Sequence, residues 1–394
     1  MAVKTLQLFE SYLPNAQNWV FRMLNNLPDT EVNVAAYRYY NEQFVTPKIN
    51  LLPMPNYISP DLLEGRDNAK NIFSKIINRI AILRKNKHYF EYIGKWAKEN
   101  GVELIHTHFA NMGWQYIELK KITGLPYFVS FYGFDYESLP FRLQKKKKRY
   151  QSLYEKADGF VCEGAFGASI LVNQGCDPAK VHVVHLGVET SKIPAIARTK
   201  NEGELHLLQL SNYSQKKGHI YTLQAFIKAL NDCPNMTLTF VGSELENIKS
   251  KLEALVKQHN IEHKVRFIGF IEFTKLYEFF GQYHVFIHPS CYSDTRDCEG
   301  GAPIVLLDAQ CTGMPVISTT HCDIPEEVIH GKTGLLTPEK DADALAGSIR
   351  TFYNMNNNTY QQYATAARQH VIENFDIKPC ALQLQKLYNT IVNH

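Results

Sequence analysis

Cysteine pairs are missing from this chain: its eight cysteines, at 162, 176, 233, 291, 298, 311, 322 and 380, include no Cys-x-x-Cys. They read as free thiols of a reducing compartment. Long apolar runs are missing too. No window approaches 18 uninterrupted apolar residues, and the opening MAVKTLQLFE lacks the apolar stretch of a signal peptide. The chain is therefore expected in the cytoplasm, or attached to the inner face of the membrane only at its surface. Charge of one sign is scarce: 42 Lys and Arg against 39 Asp and Glu leave a formal +3, too little to imply a nucleic-acid partner. Metal ligands at diagnostic spacing do not stand out either, since Asp294 and Asp297 in SDTRD do not make an Asp-x-Asp. No cofactor or metal is expected.

What is present is an alternation. At 394 residues the chain is too long for one core and suits two domains. Short apolar runs such as Val3–Phe9, Glu31–Tyr37, Glu103–Phe109, Tyr127–Tyr132, Gly159–Cys162 and Lys180–Leu186 alternate with helical patterns. That is the mark of a parallel sheet covered on both faces, so the fold class is α/β with Rossmann-like domains. A polar stretch, Thr190–Glu204, precedes a second alternation that starts at Leu205–Leu210. The expected division is residues 1–190 and 205–375, two Rossmann-like domains, and 376–394, a C-terminal helix. Ligands of such sheets bind beyond the strand ends. A dinucleotide-dependent dehydrogenase is disfavoured, because the first strand runs into SYLPNAQNW with no Gly-x-Gly-x-x-Gly.

The most informative stretch is EGGAPIVLLDAQCTGMPVISTTHCDIPEEVIHGKTGLL, from Glu299. Gly300 and Gly301 allow a close approach of the backbone, and Ala302-Pro303 leads into a helix whose first turn a proline suits. Such a helix start carries unpaired N–H groups and a partial positive charge, which favour a diphosphate. Asp308 stands about 7 Å along that helix at 1.5 Å per residue. Its neighbours Ile304, Val305, Leu306, Leu307 and Ala309 are apolar, so the carboxylate needs a partner; ribose hydroxyls are one candidate and a nearby Ser, Thr or N–H another. Glu299 and Asp308 bracket a gap that a nucleotide sugar fits.

This segment resembles the donor-binding signature of the retaining glycosyltransferase family 4, whose fold is termed GT-B: two Rossmann-like domains facing each other across a cleft. The family pattern is Glu-Gly-x-Pro, Leu-Leu-Glu-Ala, Gly-x-Pro-Val-Ile and x-Pro-Glu-Val; here stand EGGAP, LLDA, GMPVIS and IPEEV. The second acid is Asp308 where Glu is usual, and the acids are 308 − 299 = 9 apart, one more than usual, as in the exopolysaccharide (colanic-acid-like) branch. The resemblance implies further roles. In SNYSQKKGH, Lys217 matches the lysine that grips the leaving diphosphate, but Ser211 or Asn212 replaces the usual Arg, and Lys216 is expected to be a solvated surface lysine. Backbone at Gly269, Phe270 and Ile271 is expected to hold the nucleobase, and Glu299 the donor sugar. In ELIHTHFANMG, His106 and His108 are expected to face opposite ways, with His108 near the transferred sugar. In SFYGFDY, Gly133 and Asp135 are candidate acceptor contacts, although for Asp135 a turn-forming side-chain bond is an equal reading.

The basic run Lys145, Lys146, Lys147, Lys148 and Arg149 lies in a helical pattern near Phe141–Lys156 and is either a solvated face or a contact with anionic lipid. The expected activity is transfer of a sugar from a nucleotide donor, UDP- or GDP-linked, to a saccharide or polyprenyl-linked acceptor during cell-surface polysaccharide assembly. The alternatives are a catalytically silent nucleotide- or glycan-binding protein of the same fold, motivated by the missing Arg, and a sugar-nucleotide epimerase.

Overall fold

The computed structural model describes residues 2–14, 18–53, 72–142 and 147–392. The first sheet has seven strands: β1 (Val3–Tyr12), β2 (Thr30–Tyr39), β3 (Ile49–Leu51), β4 (Leu104–His108), β5 (Tyr127–Phe131), β6 (Gly159–Cys162) and β7 (Val181–Val183). The second has six: β8 (Leu205–Leu210), β9 (Met236–Val241), β10 (Val265–Ile268), β11 (Val285–His288), β12 (Val316–Thr319) and β13 (Gly334–Thr337). Their orders are β3-β2-β1-β4-β5-β6-β7 and β10-β9-β8-β11-β12-β13, and every pairing is parallel. Strands covered on both faces must be apolar on both, which is why Leu205, Leu207 and Leu208 are all buried. Each sheet reverses its winding once, between β1 and β4 and between β8 and β11, and that is where a crevice opens in this kind of sheet.

The helices that matter for the site are α1 (Asn18–Asn26), α2 (Ala165–Asn173), α3 (Leu276–Phe280), α4 (Ile304–Cys311), α5 (Ala342–Asn354) and α6 (Ile377–Val392). The last of these packs on the first domain: Ile377, Cys380, Ala381, Leu384 and Tyr388 share a core with Val20, Met23 and Leu24 of α1. Between the two sheets, the polar stretch 190–204 is not a loose linker. Arg198 is buried and donates to the carbonyls of Thr312, Tyr283 and Phe280, while Lys200 donates to those of Tyr353 and Met355. These carbonyls lie at the ends of α3, α4 and α5, where a cation meets both unpaired acceptors and the negative end of the helix dipole.

The helix after β9 spans only Lys249–Gln258, because the Glu244 carboxylate takes the backbone N–H groups of Glu246, Ile248 and Lys249 and holds the preceding turn. Between β10 and β11 stand a single tight turn, Phe273–Lys275, and α3. Strands β3 and β13 were unassigned; each is short and joins a sheet edge. The basic helix falls partly on residues 143–146, so Lys145 and Lys146 lie outside the described residues.

Candidate active site

The loop from β11 to α4 carries Glu299, and three groups hold its side chain. Lys217 Nζ lies 2.7 Å from Oε2, Ser290 Oγ donates to Oε1 at 2.8 Å, and His288 Nε2 stands 3.7 Å from Oε1. The backbone is fixed as well, since Glu299 N–H donates to His321 Nε2 at 3.2 Å and His321 Nδ1 meets Glu339 at 2.7 Å. Burial alone raises a carboxyl pKa; here Lys217, His288 and Lys216 outweigh it and hold Glu299 well below the usual carboxylate range. Burial lowers the Lys217 pKa as well, Glu299 opposes that shift, and the two face each other as an ion pair. Lys216 is not the solvated lysine expected from the sequence: it is largely buried and bonds Asp297 at 3.3 Å and the Cys298 carbonyl at 3.0 Å. It anchors the strand of backbone that leads into Glu299.

Asp308 is buried on α4, as its apolar neighbours imply, and its partner comes from the other domain. Arg22 of α1 donates to Oδ1 at 3.2 Å and to Oδ2 at 3.4 Å, and Tyr277 of α3 donates its hydroxyl to Oδ1 at 3.0 Å. The Arg22 guanidinium also lies 5.3 Å from the centroid of the Phe273 ring. Gly269 and Phe270 are exposed at the end of β10, with Ile271 half-buried after them. The Ser211 hydroxyl meets His219 Nε2 at 3.2 Å, and Asn212 is half-buried in the same loop.

The glycine turn is where the domains touch. Gly300 has φ 86°, and a Cβ there would sit 2.1 Å from the Gly133 nitrogen; a Cβ on Gly133 would sit 2.2 Å from the Cys298 carbonyl. Neither position tolerates a side chain in this arrangement. Gly301 N–H, one of the donors expected to face a ligand, donates instead to Glu163 of the first domain at 2.8 Å. Ala302 and Pro303 follow, with Pro303 extended at φ −65° and ψ 117° before the helix begins. Beside them Asp323 and Glu326 accept from the first N–H groups of α2, at Phe166 and Ala165. Burial, then neighbouring acids, raise Glu163 and Glu327 well above the usual range and Asp323 to about 7, so this seam is a cluster of protonatable carboxyls.

Two expectations in the first domain are overturned. His106 and His108 do not face apart: residues two apart on a strand share a face, and their rings stack at 4.7 Å. His108 is buried, with Nε2 donating to Gln7 Oε1 at 3.0 Å and Nδ1 accepting from Tyr132 Oη at 2.7 Å, so both ring nitrogens are satisfied within the protein. Burial, then His106, holds its pKa well below the usual value, which leaves it neutral. Asp135 does not reach an acceptor site. It is fully buried, Oδ2 accepts from the N–H groups of Ala110 and Tyr132, and burial pushes its pKa up to about 8. The turn-forming reading holds.

The model described as glycosyl transferases group 1 matches residues 195–370, and that described as glycosyltransferase family 4 matches residues 31–192. The chain belongs to glycosyltransferase family 4. Among curated relatives of this family 4 protein is a putative colanic acid biosynthesis glycosyltransferase, WcaL, of Salmonella typhimurium, 28% identical over 263 residues. That match covers 66% of the chain and 63% of the relative, so it spans under two thirds of the relative's length. The amylovoran biosynthesis glycosyltransferase AmsK of Erwinia amylovora is 25% identical over 77% of each chain. These relatives fit the exopolysaccharide branch. Among solved structures, a Rickettsia africae glycosyltransferase superposes with TM-score 0.76 at 17% identity, covering 100% of this chain and 99% of that one. Anabaena Alr3699/HepE in complex with UDP-glucose gives 0.73 at 15% identity, covering 98% and 99%. The fold is GT-B.

What sequence reasoning missed in this family 4 site are Arg22, Glu163, Tyr277, Ser290 and His321. The last two had a local signal, since HPS and TTH flank the ends of β11 and β12. Arg22 and Glu163 had none, because their partners stand in the other half of the chain. Among the described residues no group of three or more His, Cys, Asp or Glu is placed to hold a metal, and no helix is long and apolar enough to cross a membrane.

Proposed function

We propose that this family 4 glycosyltransferase moves a glycosyl group, with retention at the anomeric carbon, from a nucleoside diphosphate sugar to a saccharide or polyprenyl-linked saccharide in cell-surface polysaccharide assembly. The observation that carries the reading is the Lys217–Glu299 pair at 2.7 Å, set in the loop before the start of α4. One cation, one ionised acid and a helix N-terminus converge there, which are the groups needed to hold a departing diphosphate beside a sugar. In this reading Lys217 and the loop backbone between Glu299 and the start of α4 take the diphosphate. Glu299 orients a sugar hydroxyl, Asp308 holds the ribose, and the backbone of Gly269, Phe270 and Ile271 receives the base. The donor's C1–O bond breaks as the acceptor oxygen bonds C1 on the same face, and the leaving phosphate oxygen takes the acceptor proton. No side chain then needs to act as base, in keeping with a neutral, fully bonded His108. The reaction is metal-independent in this reading, and the acceptor enters from the first domain.

The protein works at the cytoplasmic face of the membrane in this proposal. Lys148 and Arg149 are exposed, as is Phe141, and each basic residue near an anionic surface contributes about 1 kcal/mol. Sedimentation with vesicles of anionic against zwitterionic lipid tests it: equal binding to both refutes the contact. The donor reading is tested by thermal unfolding with UDP and GDP. Ligand at 100 times its dissociation constant stabilises by about 2.7 kcal/mol, so one of the two should raise the transition by several degrees. No shift with either would overturn the donor site.

A further inference from the structure

The Arg22–Asp308 pair is placed where the nucleotide's ribose is proposed to lie, and its own chemistry conflicts with simple ribose binding. The carboxylate has room for about four hydrogen bonds. Arg22 Nη1 and Tyr277 take Oδ1, and Arg22 Nη1 and Nη2 take Oδ2, so both oxygens are satisfied. Side-chain exposure is 6% for Arg22 and 5% for Asp308. A ribose diol cannot reach Asp308 while Arg22 stays. Yet a guanidinium pulled away and left buried without a counter-charge is strongly unfavourable.

Two features show how the exchange is made possible. The contacts, at 3.2 to 3.4 Å, are longer than the 2.7 to 2.9 Å of a good charge-assisted bond, whereas Lys217–Glu299 is 2.7 Å. The arginine also rests over the ring of Phe273, which is half exposed, so one side of the pair is covered only by a side chain open to solvent. In the SNYSQ loop, Ser211 and Asn212 offer the diphosphate no charge.

Building on the donor reading above, we propose that Arg22 is a donor-specificity residue supplied by the first domain: when the ribose takes Asp308, the guanidinium transfers to the nucleotide's phosphates. One ion pair is exchanged for another. A nucleoside without phosphates displaces Arg22 and gives it nothing in return, so the site rejects nucleosides and admits nucleoside diphosphates. Because Arg22 and Asp308 belong to different domains, the same exchange ties donor entry to the contact between them.

The test compares binding of UDP with uridine, and GDP with guanosine, by calorimetry or ligand-observed NMR, in the full chain and in Arg22→Met, Arg22→Gln and Arg22→Lys. Removing the charge should strengthen nucleoside binding and weaken diphosphate binding, so the preference for diphosphate over nucleoside falls at least tenfold in Arg22→Met. Arg22→Lys should retain more of the preference than Arg22→Met does, because a point charge still serves phosphate although the two-pronged contact and the stacking on Phe273 are lost. Should Arg22→Met fail to fold with Asp308 unpaired, Arg22→Gln keeps a donor for Asp308 without the charge and gives the same reading. An unchanged preference in the neutral variants overturns the proposal and marks Arg22 as a structural contact only. Unmodified protein that binds neither diphosphate overturns the donor reading itself, a different result from diphosphate binding that Arg22 does not influence.

Discussion

Replacing Lys217 by alanine removes the cation 2.7 Å from Glu299 and leaves a carboxylate whose side chain is only 5% exposed. Breaking a buried pair on one side costs about 3–5 kcal/mol. Ser290 still donates to Glu299 at 2.8 Å, so the lower end applies, about 3 kcal/mol. For domains of this size each kcal/mol moves the transition by about 2–4 °C, which gives a fall of roughly 6–12 °C. The sign of the pH dependence is distinctive. With Lys217 present Glu299 titrates below its unfolded value, so its contribution persists through neutral and mildly acidic pH and is lost only as pH falls through the depressed value. Without Lys217, burial dominates and raises Glu299, so Lys217→Ala should gain more stability than the unmodified protein does as pH is lowered from 7 to 5. Adding Glu299→Gln should restore the transition at pH 7. Turnover should fall by on the order of 10²–10³, the range for losing one preorganised charge-stabilising donor, and more than substrate affinity does. Calorimetry at the two pH values with a transfer assay reads all of this. A transition within 2 °C of the unmodified protein, or full turnover, would refute the reasoning.

Other expectations follow from the same geometry. Lys216→Ala should lower turnover at least several-fold, because its bonds to Asp297 and the Cys298 carbonyl fix the loop that presents Glu299; unchanged turnover would return it to the solvated role. Asp308→Asn should weaken nucleoside diphosphate binding about tenfold or more, and unaltered affinity in a folded protein would remove Asp308 from the ribose site. Asp135 titrates near 8 when folded, above its unfolded value, so the folded state binds the extra proton and stability falls as pH rises towards 8. Asp135→Asn should therefore raise the transition at pH 9 without changing the apparent affinity for acceptor; a loss of acceptor affinity would revive its binding role. Glu299→Gln should slow transfer far more than it weakens diphosphate binding, and equal losses would place it away from the sugar.

The sheets were legible because parallel strands buried on two faces leave short apolar runs, and because the turn chemistry of the Gly300–Pro303 segment is local. The carboxylate at Asp308 could be recognised as buried for the same reason: its neighbours in α4 are apolar. Its partner could not. Arg22 and Asp308 are 286 residues apart, and nothing in a helix reading NWVFRMLNN marks one arginine as a contact across domains. Glu163 was hidden likewise, since a carboxylate after β6 looks solvated until Gly301 is placed against it. His108 was misjudged for a local reason, a strand period read wrongly, and Asp135 because one motif suits a ligand contact and a helix-start bond equally. Lys216 and Lys217 are adjacent in sequence, and only the path of the loop decides that one meets Glu299 and the other Asp297.

The most direct measurement is proton NMR of the product formed from an α-linked nucleotide sugar and a saccharide or lipid-linked saccharide acceptor, with chelator present. Release of nucleoside diphosphate together with an α-configured glycosidic linkage is the predicted result. A β-linked product, epimerised donor with no acceptor present, or donor bound but unconsumed across a panel of acceptors would contradict it.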